Sequence, residues 1–205
     1  MNPSRDALTR LQEGNRRFVA GTSIAPSLAS PARRDQLADG QAPFAIILGC
    51  SDSRVPAELV FDQGLGDLFV IRIAGNIVAP SQIGSVEFAA ERFGTPLVVV
   101  LGHSRCGAIV ATLEEAMRPA QQQSPHLRSI VERVRPSVEP LLHTELRHDH
   151  DALISHAVRA NVLASANQLR HGSEILEQRI LRRELLVVGA EYSLDTGVVD
   201  FFDGV

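Results

Sequence analysis

The chain has 205 residues, 44% hydrophobic and 21% charged, with a formal net charge of -4. That is enough apolar material for one core, and the balance argues against nucleic acid, which calls for a basic face. No apolar run approaches the roughly 20 residues that span a bilayer, and the polar start from Met1 to Leu11 has no signal-peptide core; one cytoplasmic domain is expected, with neither membrane nor nucleic acid as partner.

Asp6 to Val19 comes first, with Leu8, Leu11 and Phe18 on one helical stripe and Gly21 after it. A helix this short is marginal alone, so the stripe is expected to pack on something, a partner subunit being the favoured surface. Residues 1–40 read as this helical arm and residues 41–205 as the core. Four short apolar runs suit buried parallel strands: Phe44 to Leu48, Leu68 to Ile73, Leu97 to Leu101 and Leu185 to Val188. Gly64 to Asp67 is a turn ahead of the second run, without the further glycine and helix of a dinucleotide loop. Ser81 to Phe93 reads as a helix carrying Ile83, Val86, Phe88 and Ala90, ended by Gly94 and Pro96.

Further on, Arg118 to Ser124, with Gln121, Gln122 and Gln123, reads as a polar surface loop. His143, His148 and His150, with Asp149 and Asp151, read as a solvated, charged connection rather than a second metal site. Ala152 to Leu169 places Leu153, Ala157, Ala160 and Ala164 at helical spacing, stopped by Gly172. Alternating strands and helices predict right-handed crossovers and a three-layer α/β domain. Its central, mostly parallel β-sheet is flanked by helices, with the N-terminal helical arm in addition.

The two cysteines say more than the composition does. Neither belongs to a C-x-x-C pair, which weakens a redox reading. Cys50-Ser51-Asp52-Ser53-Arg54 follows the first strand, and His103-Ser104-Arg105-Cys106-Gly107 follows the third. Ligands of parallel sheets gather at the carboxyl ends of strands, so two thiols, an imidazole and a carboxylate converge there. Those are zinc ligand types. Two blander readings stay open, a closed structural zinc site and a pair of ordinary buried cysteines. A catalytic site needs a labile fourth position. Asp52 is the candidate occupant, and Arg54, two residues on, has the fork to take it in a bidentate clamp. Asp52 on the metal would shut the site; Asp52 on Arg54 would open it. Two thiolates make the metal less acidifying than imidazoles do, so activity is expected to rise on the alkaline side.

At these residues the chain resembles the β-class carbonic anhydrases. The signatures are CSDSRVP at Cys50 to Pro56 and H-x-x-C-G at His103 to Gly107. Further likeness runs through LQEGNRRF at Leu11 to Phe18, GDLFVIRIAGN at Gly66 to Asn76, Gly84 to Phe88, and VGAEYSLDTGVV at Val188 to Val199. The resemblance implies one Zn2+ per chain on Cys50, His103 and Cys106, with Asp52 as fourth ligand or as partner of Arg54. It implies that Gln41 donates a hydrogen bond to substrate or bicarbonate, and that Phe69 and the Gly107 backbone shape a small pocket. It also implies a homodimer or homotetramer with the pocket at the subunit interface and the N-terminal helix reaching across. Ala74 and Phe88 stand where some members carry valine and tyrosine. Ile47 replaces the tryptophan of bicarbonate-inhibited members. The activity implied is reversible hydration of carbon dioxide by hydroxide generated at zinc. Hydrolysis of carbonyl sulfide or carbon disulfide, and a non-catalytic zinc scaffold, are the alternatives.

Overall fold

The computed structural model describes residues 2–24, 29–117 and 124–205. Five strands form one sheet: β1 (Ala45–Gly49), β2 (Leu68–Arg72), β3 (Leu97–His103), β4 (Leu186–Tyr192) and β5 (Val199–Asp203), in the order β2-β1-β3-β4-β5. The first four run parallel and β5 runs antiparallel to β4. β1 and β3 lie side by side in the middle and are buried along their whole length, which is why each reads as an unbroken apolar run. β5 offers no such run; it is an edge strand with only Val199 buried. The chain leaves β1 for β2 on one side and returns to β3 on the other, so the topological switch lies between the carboxyl ends of β1 and β3.

Helices cover both faces. Among the described residues they are α1 (Pro3–Val19), α2 (Pro31–Gln36), α3 (Ala57–Val60), α4 (Pro80–Arg92), α5 (Gly107–Met117), α6 (Pro125–Val138), α7 (His150–His171) and α8 (Glu174–Leu181). Alternate strand residues point to opposite faces. Ile47, Val99, Leu101 and Val188 pack with Leu8, Leu11 and Phe61 on one side. Ile46, Leu48, Val98 and Val100 pack with Val86, Val162, Leu169 and Leu176 on the other. A third cluster sits beyond the strand ends, where Val134 and Val138 of α6 and Leu153 of α7 close over Cys50 and Cys106. No described helix is long and apolar enough to cross a membrane.

Three expectations are corrected. The α1 stripe is covered by its own chain: Leu8 and Leu11 are buried, and Asn15 Nδ2 donates to the carbonyls of Val60 (3.1 Å) and Gly197 (2.8 Å). On α7 the inward face includes Ile154, Val158, Val162 and Ala166, while Ala160 is half-buried and Ala164 exposed. Polar Asn161 and Ser165 share that inward face, which disguised it in the sequence. On α4, Phe88 is 53% exposed, although its ring stacks edge-on against Phe93 at 5.6 Å. The glutamines Gln121 to Gln123 lie outside the described residues. His143, His148, Asp149, His150 and Asp151 are all exposed, in short turns and the opening of α7.

Candidate metal centre

β1 stops at Gly49 and delivers Cys50; β3 stops at His103. Ser104 begins the turn, its N–H still donating to the Tyr192 carbonyl at 3.0 Å. Arg105 then takes a left-handed φ of 54°, an uncommon conformation for a residue with a Cβ, and the chain turns sharply into α5. The Cys106 carbonyl accepts from the N–H groups of Ile109 (3.1 Å) and Val110 (3.0 Å). This turn brings Cys106 back beside His103, and the exposed Arg105 guanidinium is free to pair with Asp195.

Cys50, His103 and Cys106 are buried, and their ligand atoms lie within 4.8 Å of one another. The two sulfurs are 3.9 Å apart. A tetrahedral zinc with Zn–S bonds of about 2.3 Å sets its sulfurs about 3.8 Å apart. His103 Nδ1 lies 3.0 Å from the Ser104 carbonyl. A carbonyl only accepts, so Nδ1 carries the proton and Nε2 presents its lone pair. That Nε2 is buried and has no hydrogen-bond partner among the described residues. An orphaned acceptor beside two sulfurs at the right spacing fits a zinc ion.

The electrostatics agree. The hydrogen bond from Cys106 pushes the Cys50 thiol down to about 4, against the opposing effect of burial, with help from the backbone N–H groups of Gly75 and Asp52. The same shared proton, and then burial, drives Cys106 strongly up. The pair therefore holds one proton, in a place where a dication would satisfy two thiolates.

Asp52 stands at the mouth of this cluster. Arg54 Nε donates to Oδ1 at 2.9 Å and Nη2 to Oδ2 at 2.7 Å, while the Arg54 N–H adds a bond to Oδ1 at 3.0 Å. These bonds hold the Asp52 carboxyl well below the usual carboxylate range. Oδ2 is 3.8 Å from His103 Nε2. Arg72, at the end of β2, donates to the carbonyls of Cys50 (3.0 Å) and Asp52 (2.6 Å) and so fixes the loop carrying both side chains.

Gly107 follows Cys106 as the first residue of α5, exposed and with open space around its Cα. Gln41 and Phe69 are not brought to this cluster within one chain. Gln41 is exposed, two residues before Pro43, whose carbonyl is tied to Thr95 at the opposite end of the sheet. Phe69 pairs with Ile46, three residues back from Gly49, and stacks on Phe88 and Phe93. Among the described residues, Cys50, His103 and Cys106 are the group of three side chains placed to hold a metal. Sequence reasoning passed over Arg72, Gly75, Asn161 and Ser165. A glycine just past a strand end, and polar residues inside an apolar helical stripe, were the available signals.

The carbonic anhydrase family model matches residues 45–199. Carbonic anhydrase 2 of Mycobacterium tuberculosis is 43% identical over 187 residues, which is 91% of this chain and 87% of that one. The carbonic anhydrase of Mycolicibacterium smegmatis is 40% identical over 190 residues, covering 93% and 89%. Among solved structures, the β-carbonic anhydrase CcaA superposes with a TM-score of 0.78 at 29% identity, over 96% of this chain and 95% of that one. One of two tetrameric β-carbonic anhydrases from Sordaria macrospora gives 0.74 at 26% identity, over 84% and 87%.

Proposed function

Since the chain belongs to the β-class carbonic anhydrase family, we propose that it hydrates carbon dioxide reversibly to bicarbonate and a proton, with one zinc ion per chain on Cys50, His103 and Cys106. The observation that carries this reading is the pair of sulfurs 3.9 Å apart, with an orphaned imidazole nitrogen and a clamped carboxylate beside them. Zinc bound there supplies a Lewis acid that makes water a nucleophile near neutral pH.

The chain's own residues do the rest. Arg54 engages both oxygens of Asp52 and holds the carboxylate off the cluster but within reach of it. Asp52 stays ionised, so it acts as an acceptor that orients water rather than as a store for the released proton, which passes to solvent. Release from Arg54 would let the carboxylate swing towards His103 and close the site. Gly107 opens α5, where N–H groups lack intrahelical acceptors, and so suits the oxygens of bicarbonate. Gln41 and Phe69 serve the pocket of a neighbouring subunit in a homodimer or homotetramer.

Stopped-flow hydration at about pH 7 and about pH 8.5, on protein of known zinc content, tests the reading. Activity should scale with zinc and be higher at the alkaline pH. Zinc-loaded protein inactive on carbon dioxide at both pH values would overturn it, and parallel assays with carbonyl sulfide and carbon disulfide would then identify a hydrolase.

A further inference from the structure

The chain after β2 turns through two consecutive left-handed residues, Gly75 with φ 70° and Asn76 with φ 42°. Glycine adopts that region at little cost, and asparagine does so more readily than other residues with a Cβ, though still uncommonly. The Asn76 side chain does not impose it through its amide nitrogen, because the buried Nδ2 has no partner among the described residues. The hold comes from α7. Asn161 Nδ2 donates to the Gly75 carbonyl at 2.7 Å, and Ser165 Oγ donates to the Asn76 carbonyl at 3.0 Å. Asn161 and Ser165 are four residues apart, on one stripe of the helix, and both are almost wholly buried.

Placing two polar side chains among Val158, Val162 and Ala166 is unfavourable unless each finds a partner. The partners they find are the two carbonyls of this turn. On its other side, the Gly75 N–H donates to Cys50 Sγ at 3.4 Å. A Cβ on Gly75 would stand 3.1 Å from that of Ala108, so the turn is also pressed against α5 and has little room to relax. A connected path therefore runs from the middle of α7, through one peptide turn, to a sulfur of the candidate metal centre.

We propose that Asn161, backed by Ser165, is a positioning residue of the metal centre: it fixes the Gly75–Asn76 turn so that the Gly75 N–H stays aimed at the Cys50 sulfur. An N–H donor on a ligand sulfur orients that sulfur and spreads its charge, as partners behind metal ligands generally do. The role rests on the zinc reading above and concerns affinity and ligand geometry rather than contact with substrate.

Zinc affinity by chelator competition, and the thiolate-to-metal charge-transfer band of the cobalt-substituted protein, read this role directly. Asn161→Leu keeps roughly the volume and removes the donor; it should weaken zinc binding by about 10- to 100-fold and shift the cobalt band. Ser165→Ala, a milder change that carries the test if the first variant does not fold, should weaken it about fivefold. Leu169→Val lies on the same stripe but in the far core; it should lower thermal stability and leave both metal readouts at wild-type values. Wild-type zinc affinity and an unshifted band in the folded Asn161 and Ser165 variants would overturn the positioning role while leaving the zinc reading intact. Equal loss in Leu169→Val would overturn it too, by showing that affinity follows stability alone. Wild-type protein that takes up neither metal would overturn the zinc reading itself.

Discussion

Cys50 and Cys106 share one proton across 3.9 Å, with Cys50 pushed down to about 4 and Cys106 pushed up. His103 turns Nδ1 to the Ser104 carbonyl and leaves Nε2 without a partner among the described residues. Zinc uptake by metal-free protein at about pH 7 should therefore release about one proton, from Cys106, where two ordinary thiols would release about two. Titration calorimetry in buffers of different ionisation enthalpy measures that count. Asp52 has the opposite simplicity. Its pKa is depressed by the bonds from Arg54, so the pair's contribution is complete above the unfolded value of about 3.9 and fades only as pH falls through the lower folded one. Asp52 is ionised throughout the working range, and an alkaline rise in activity is not its titration. Arg54→Ala should lower activity about 10- to 100-fold. Arg54→Lys should recover only part of it, because a point charge does not reproduce the two-pronged grip. Stopped-flow hydration distinguishes these outcomes, and full activity in Arg54→Ala would remove Arg54 from the mechanism.

At the scale of elements, α1 illustrates how a polar side chain decides packing. Asn15 bonds to the Val60 and Gly197 carbonyls and accepts from the Val199 N–H at 2.9 Å, joining α1 to the last residue of α3 and to the first residue of β5. A Cβ on the preceding Gly14 would fall 1.8 Å from the Phe61 carbonyl oxygen, so the helix lies against backbone at that point. Asn15→Ala strands two buried backbone groups and a half-buried one and should cost about 2–4 kcal/mol, with urea unfolding as the check. None of this was visible in an apolar stripe of Leu8, Leu11 and Phe18, which says that a helix needs cover but not whose. The parallel strands were legible because burial on both faces writes itself as runs such as Val98 to Leu101. β5 was not, since Val199-Asp200-Phe201-Phe202-Asp203 is mostly half-exposed and takes its place by pairing with β4. α6 carries Val131, Val134 and Val138 at helical spacing, yet Pro136 interrupts the signal within its last turn. The metal cluster was legible because both of its motifs follow strong strand runs. The supports behind it were not, because a backbone carbonyl and its distant donor leave no paired pattern in one sequence.

For the whole molecule, the sheet sets a distance that one chain does not bridge. β1 alone is about 16 Å long, with Gln41 before its start and Cys50 at its end. If Gln41 of one copy completes the pocket of another, co-expressing Gln41→Ala with Cys50→Ser chains should restore about a quarter of wild-type activity through mixed dimers. No gain over Gln41→Ala alone would leave Gln41 without that role.

The sheet also sets an order of events. Cys50 and Cys106 are 56 residues apart in sequence, and their sulfurs meet only once β1 and β3 are paired in the register that puts Gly49 opposite Leu101. A slip of one residue would move a sulfur by about 3.3 Å, more than the length of a zinc–sulfur bond. Metal removal by chelator should accordingly leave far-UV circular dichroism almost unchanged, unlike the collapse of a zinc finger. On the zinc reading proposed above, that outcome would make the protein a finished vessel before it is filled. On the same reading, a cell short of zinc would accumulate folded, silent molecules, and a returning supply would restore activity without new synthesis.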